Sequence, residues 1–249
     1  MRHRAVPRFL VVGTIVVAVV PLLATTVARD RRLAIHRVAS AAAAPAPDPH
    51  PIPTASLIAD AAAATVPVYA APAAGPVTAR IPGQVLTGQK EAFLVLDLVP
   101  GWYRVELPVK PNGATGWIPA SSVTIRGTTD YLRVHQSQFR LERYTAGRLQ
   151  QAFTVAVGAP STPTPNGRFF VWASQDFAGA PYTPGIFALS GFSPVLDNWP
   201  GGGRAGIHGW TDTRVMGTRA SHGCVRMAPA DFAKLLHSVP LGTPVDILP

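Results

Sequence analysis

Hydrophobic positions divide the chain into four stretches with different periods. Phe9 to Ala28 is nearly all apolar and follows Arg2, His3, Arg4 and Arg8. A positive flank before an apolar run of about 20 residues predicts a signal peptide or an uncleaved signal anchor over 1–28. The positive end then stays inside and everything after Asp30 is exported. From Arg29 to Ala64 no apolar face repeats, and Pro45, Pro47, Pro49, Pro51 and Pro53 alternate. This segment, 29–64, is expected to be an extended linker of polyproline character, with a short Ala-rich helix near Ser56 to Ala64.

The third stretch, 65–126, breaks into short apolar runs between glycine and proline turns. Val66 to Tyr69, Val85 to Thr87, Ala92 to Leu98 and Trp102 to Glu106 read as strands, and Gly116 to Ser121 closes the set. Trp102 and Trp117 are expected in the core of so small a domain. The fourth stretch, 128–249, is also β-rich. Strands are expected over Tyr131 to His135, Gln138 to Tyr144, Ala152 to Val157, Phe169 to Ala173, Ile186 to Ser190 and Val245 to Leu248, with Ile207-His208 ending another. Phe232, Leu235 and Leu236 share one face, which predicts a helix over Met227 to Val239. His135 reads as a sheet histidine remote from any nucleophile. Gln175 to Pro184 is irregular, and Gly191 to Gly206 is a long Gly/Pro loop of the kind that usually carries function.

Composition agrees with a mainly β chain: 26 prolines and 22 glycines among 249 residues leave little room for long helices. The net charge of +9 suits an anionic polymer or an anionic surface. The basic residues are scattered and never interleave with aromatics, which argues against nucleic acid as a partner.

Cys224 is the one cysteine. In an exported chain it has no internal disulfide partner, so it is a buried small hydrophobe, a pairing point between chains, or a reactive thiol. Its neighbours are Ser221, His222 and Gly223, and His208-Gly209 lies upstream. Cysteine with histidine is the minimal pair for a thiolate nucleophile and its general base. Backbone N–H groups around Gly223 and Cys224 are candidates for an oxyanion hole. A zinc site built from His208, His222 and Cys224 is the rival, weakened by the lack of a second cysteine.

Ser221-His222-Gly223-Cys224-Val225-Arg226, preceded by Ile207-His208-Gly209, resembles the active-site signature of the bacterial L,D-transpeptidases. The likeness reaches back through Ser161 to Gly167 and the Gly201-Gly202-Gly203 loop. Gly101-Trp102-Tyr103-Arg104-Val105 and Gly116-Trp117-Ile118-Pro119 resemble a bacterial Src-homology-3-like barrel. Together the resemblances imply a small barrel followed by a β-sandwich catalytic domain with one helix. They imply 3→3 cross-linking of peptidoglycan through a thioester on Cys224, with His208 as general base and acid. His208 would be oriented by a backbone carbonyl and would raise the thiolate fraction of Cys224.

The same resemblance implies supporting roles for Ser221, His222 and Gly223 around the oxyanion. It implies substrate contacts from Arg226, Tyr182 and Gly209, with Arg226 either binding a stem carboxylate or bracing the loop. It implies no cofactor and no metal. The partners would be a donor tetrapeptide stem and an acceptor amine, with carbapenem-type β-lactams as covalent inhibitors, and the membrane if the N-terminal helix is uncleaved. An L,D-carboxypeptidase, a wall-protein anchoring enzyme and a non-catalytic peptidoglycan-binding protein stay open beside it.

Overall fold

A computed structural model of the protein describes residues 51–73, 75–197 and 202–249. The Phe9 to Ala28 stretch, most of the 29–64 linker and Gly201 lie outside the described residues. Among those described, the chain is mainly β with a single α-helix, as the turn-rich sequence requires. No helix among them is long and apolar enough to cross a membrane.

The first half is an antiparallel seven-stranded sheet. Its strands are β1 (Ser56–Ala61), β2 (Thr65–Tyr69), β3 (Val77–Pro82), β4 (Ala92–Val99), β5 (Trp102–Glu106), β6 (Thr115–Pro119) and β7 (Val123–Thr128), in the spatial order β3-β2-β6-β5-β4-β1-β7. Alternation places Val66 and Val68 of β2 and Ile118 of β6 inside, against Phe93 and Val105.

Three expectations change here. Ser56 to Ala61 is neither linker nor helix: it pairs with β4 on one side and β7 on the other, and Ile58, Ala59 and Ala61 are buried. Pairing on both sides overrides the helix preference of its alanines. Val85 to Thr87 is a turn rather than a strand, closed by the Val85 N–H on the Gln89 carbonyl at 2.9 Å, with Gly88 at φ +80°. Trp102 and Trp117 are half-buried outside the core, near Tyr69: Trp102 packs on the Tyr69 ring at 5.1 Å and Trp117 pairs with Tyr69 across the strands.

The second half holds β8 (Asp130–His135), β9 (Arg140–Thr145), β10 (Arg148–Gly158), β11 (Gly167–Asp176), β12 (Gly185–Phe192), β13 (Arg204–Gly209), β14 (Arg219–Ser221), β15 (Val225–Met227), α1 (Pro229–Leu236) and β16 (Pro244–Leu248). The strands follow the order β14-β10-β15-β13-β12-β11-β16-β8-β9, and β9 also pairs with β10, which closes the sheet on itself. α1 packs Phe232, Leu235 and Leu236 into the enclosed core beside Phe187 and Ile207. The helix is shorter than expected because Met227 is taken by β15, paired with Gly209 and Val155. Pro229 then opens it at a position where its missing N–H costs nothing.

All the described residues fall within one compact unit, and the two halves share a core. Ile58, Ala92 and Leu94 of the first sheet bury against Phe170 of β11. Polar bonds surround this seam. Trp172 Nε1 donates to Glu91 at 2.8 Å, Ser190 Oγ to Glu106 at 2.7 Å, and Asn112 makes two bonds to the Phe192 backbone, both 2.8 Å. Arg204 is held between the Trp172 and Phe192 rings, 3.7 and 4.4 Å from their centroids, and donates to the Pro108 carbonyl.

Glu91 and Glu106 are buried in this seam, and desolvation pushes both carboxyls up to about 7. In the unfolded chain they titrate near 4.5. Between those values the folded chain keeps protons that the unfolded chain has lost, so stability falls as pH rises from about 4.5 to 7. Urea denaturation across that window is expected to show this decline, and Glu106→Gln to flatten part of it. A slope unchanged by that substitution would contradict the assignment.

Candidate active site

Two strands set the site. β13 and β15 pair in parallel, with Ile207 opposite Val225 and His208 opposite Arg226. Side chains alternate across a sheet, so Ile207, Val225 and Met227 enter the core while His208, Cys224 and Arg226 line the cavity. The cavity measures about 340 Å³, and Tyr182, Ser221 and His222 also line it. The structure therefore gathers the expected His208, Cys224, His222, Ser221, Arg226 and Tyr182 along one cavity.

His208 is 2% exposed, and its Nδ1 lies 2.8 Å from the carbonyl of Gly209. A carbonyl only accepts, so Nδ1 carries the proton and Nε2 keeps its lone pair. Gly209 also has a packing role. A Cβ there would sit 1.9 Å from the Thr183 carbonyl oxygen, so the glycine lets the 177–184 loop close over the end of β13. That loop places the Tyr182 ring 4.9 Å from the His208 ring, edge to face, and 5.6 Å from Trp210.

Ser221 and Gly223 shape the turn. Gly223 adopts φ +116°, a region open to glycine. The Gly223 N–H donates to Ser221 Oγ at 3.1 Å, and Ser221 Oγ in turn donates to the Cys224 carbonyl. The Gly223 N–H is thereby held within the turn. Exposed His222 lines the main cavity and a smaller one beyond Cys224. The Arg226 guanidinium lies 3.6 Å over the Trp210 ring and donates to the Ala220 carbonyl at 2.9 Å while lining the cavity. His135 stands apart, with Nε2 3.2 Å from Glu142.

The electrostatics run against one expectation. Burial pushes the Cys224 thiol up, while a backbone hydrogen bond at Gly206 and the Arg226 charge offset this only in part. Burial also lowers the His208 imidazole to about 4, with Arg226 acting in the same direction. An enclosed site penalises both charged forms. Both a thiolate on Cys224 and an imidazolium on His208 are thus disfavoured by desolvation. Trp172, Trp210 and Arg204 are further cavity or support residues that the sequence reading passed over. The signal for Trp210 was present: it continues the alternation of His208. Among the described residues, no three His, Cys, Asp or Glu side chains are grouped to hold a metal ion.

Residues 129–247 match the family model for the YkuD-type L,D-transpeptidase catalytic domain. The YkuD protein of Bacillus licheniformis is 34% identical over 109 residues, which cover 44% of this chain and 59% of that protein. The YkuD protein of Bacillus subtilis is 28% identical over 173 residues, covering 66% of this chain and 99% of that one. Among solved structures, an L,D-transpeptidase of Enterococcus faecium is 26% identical with a TM-score of 0.39, covering 48% of this chain and 50% of that chain. One from Mycobacterium smegmatis is 15% identical with a TM-score of 0.41, covering 74% of this chain and 100% of that chain.

A half-buried thiol whose anion is disfavoured makes a testable demand on its chemistry. Only the thiolate is alkylated, so the rate of Cys224 carbamidomethylation by iodoacetamide is expected to keep climbing through pH 9. A plateau between pH 6 and 8, read by mass spectrometry of the intact protein, would instead establish a preformed ion pair.

Proposed function

We propose that this protein, whose residues 129–247 match the family model for the YkuD L,D-transpeptidase catalytic domain, is a cysteine acyltransferase that makes 3→3 cross-links between peptidoglycan stem peptides. The observation that carries this reading is the His208 tautomer. Its Nδ1 proton is tied to the Gly209 carbonyl, which leaves Nε2 basic in the cavity that Cys224 lines.

In the first half-reaction the Cys224 thiol passes its proton to His208 Nε2 as sulfur attacks the carbonyl of the third stem residue. The two neutral groups ionise only in the presence of substrate. The Cys224 backbone N–H is the proposed donor to the developing oxyanion. His208, now protonated and unusually acidic for an imidazolium, gives its proton to the departing D-Ala amine. A thioester remains on Cys224. In the second half-reaction the side-chain amine of another stem attacks the thioester, loses a proton to His208 and forms the new amide. The thiolate leaves, and His208 returns its proton.

Tyr182 holds the imidazole ring by an edge contact and Trp210 by a tilted one, and Arg226 stiffens the nucleophile turn. The site lies on the exported part of the chain, where its polymer is found, and the basic charge of the protein favours that anionic surface. The four-membered ring of a carbapenem presents an activated carbonyl to the same sulfur, so a covalent adduct is expected.

Incubation of the chain lacking residues 1–50 with a disaccharide-tetrapeptide is expected to give a cross-linked dimer and free D-Ala. Cys224→Ala is expected to abolish both products, and His208→Gln to slow them by about 10²–10⁴-fold. A carbapenem is expected to add once per wild-type chain and not at all to Cys224→Ala. Free tripeptide without dimer would reassign the enzyme as a carboxypeptidase, and the absence of any product or adduct would overturn the acyltransferase reading.

A further inference from the structure

The Cys224 cavity is not walled by the second half alone. Leu86 and Thr87, at the tip of the connection between β3 and β4, line it together with Trp172, Ile186 and Ala188. Leu86 is 91% exposed, the most exposed of the large apolar residues among those described. A single exposed leucine is ordinary on a protein surface. This one borders the cavity, and its backbone is held in place.

The tip is a tight turn, with the Gly88 N–H on the Val85 carbonyl and the Val85 N–H on the Gln89 carbonyl, both at 2.9 Å. Gln89 Oε1 then accepts from the Ser174 N–H at 3.0 Å and from Thr87 Oγ1 at 2.9 Å. Ser174 lies on β11 beyond the reach of β16, which pairs only with Gly167 to Phe170. A side chain of the first half thus caps a backbone donor on a strand of the second. Two residues further on, Glu91 fixes the indole of Trp172, the next wall of the cavity. The positive charge nearby is already committed, since Arg204 bonds to the carbonyls of Pro108, Leu189 and Ser190.

We propose that Leu86 is a specificity-determining contact of the Cys224 cavity, through which the first sheet selects an acyl donor with an aliphatic segment next to the reacting carbonyl. The proposal rests on the acyl-transfer reading for the identity of the donor. The contact itself follows from the cavity wall. Leu86, Trp172, Ile186 and Ala188 present carbon to whatever enters, and Phe177, which is 37% exposed, faces the same space from the 177–184 loop. An aliphatic chain covers Leu86 from water, whereas a polar one gains nothing there.

The test pairs two measurements on wild type, Leu86→Asn and Leu86→Met. Because the side chain is exposed, all three are expected to unfold at the same temperature. In the first measurement, Cys224 is alkylated with iodoacetamide and, separately, with N-cyclohexylmaleimide, whose ring is aliphatic. Leu86→Asn is expected to leave the iodoacetamide rate unchanged and to slow the cyclohexylmaleimide about tenfold, with Leu86→Met restoring it. In the second, turnover of the disaccharide-tetrapeptide is followed. Leu86→Asn is expected to raise KM about tenfold with kcat retained. The same reagent selectivity and the same KM in Leu86→Asn and wild type would overturn the proposal. If wild type turns over no tetrapeptide, the acyl-transfer reading falls by itself, and the alkylation ratio still decides whether Leu86 contacts the occupant of the cavity.

Discussion

The parallel pairing of β13 with β15 is the constraint on which the site depends. It joins strands separated by the excursion over Trp210 to Ala220, and its register sets Ile207 beside Val225 in the core. With those apolar residues buried on one face, His208, Cys224 and Arg226 have no choice but the other. A slip of one residue would turn the sulfur and the imidazole into the core and expose Val225. The burial of Ile207, Val225 and Met227 therefore does two things at once: it stabilises the closed sheet and aims the chemistry.

Enclosure explains the electrostatics of the same residues. The cavity is deep enough to disfavour an anion on Cys224 and a cation on His208. The Arg226 charge offsets the penalty on the Cys224 anion only in part, and its guanidinium is spread over Trp210 and tied to the Ala220 carbonyl. What the site holds ready is geometry, not ionisation. The ring is clamped at Nδ1 by the Gly209 carbonyl and at its edge by Tyr182, and the nucleophile turn is clamped by Ser221 Oγ at both ends. Groups fixed in this way lose little orientational freedom when a substrate arrives.

The two halves meet through carbon in the middle and through buried polar groups around it. Phe170 fills the space between Ile58, Ala92 and Leu94, while Glu91 and Glu106 satisfy donors on Trp172 and Ser190. Two carboxyls in so dry a seam keep their protons to unusually high pH. Trp172 belongs to both the seam and the cavity, so whatever moves the first sheet also moves a wall of the site.

Much was legible in the chain by itself. The period-two alternation around Tyr131 to His135, Trp102 to Glu106 and Ile207-His208 marked strands, because a half-buried strand must alternate. The lone Cys224 beside His222 and Gly223, with His208-Gly209 upstream, marked the chemistry, because few residue types supply a nucleophile and a base. Other features depend on partners distant in sequence, and no local pattern encodes them. Ser56 to Ala61 became a strand because β4 and β7 offered edges on both sides. The close approach of Gly209 to the Thr183 carbonyl and the contacts of Arg226 with Trp210 and the Ala220 carbonyl arise only in the assembled sheet. The pKa shifts of Cys224 and His208 come from burial, which is a property of the assembled cavity. Leu86 reads in sequence as an ordinary apolar residue before a turn, and only the packing of one sheet against the other brings it to the sulfur's cavity.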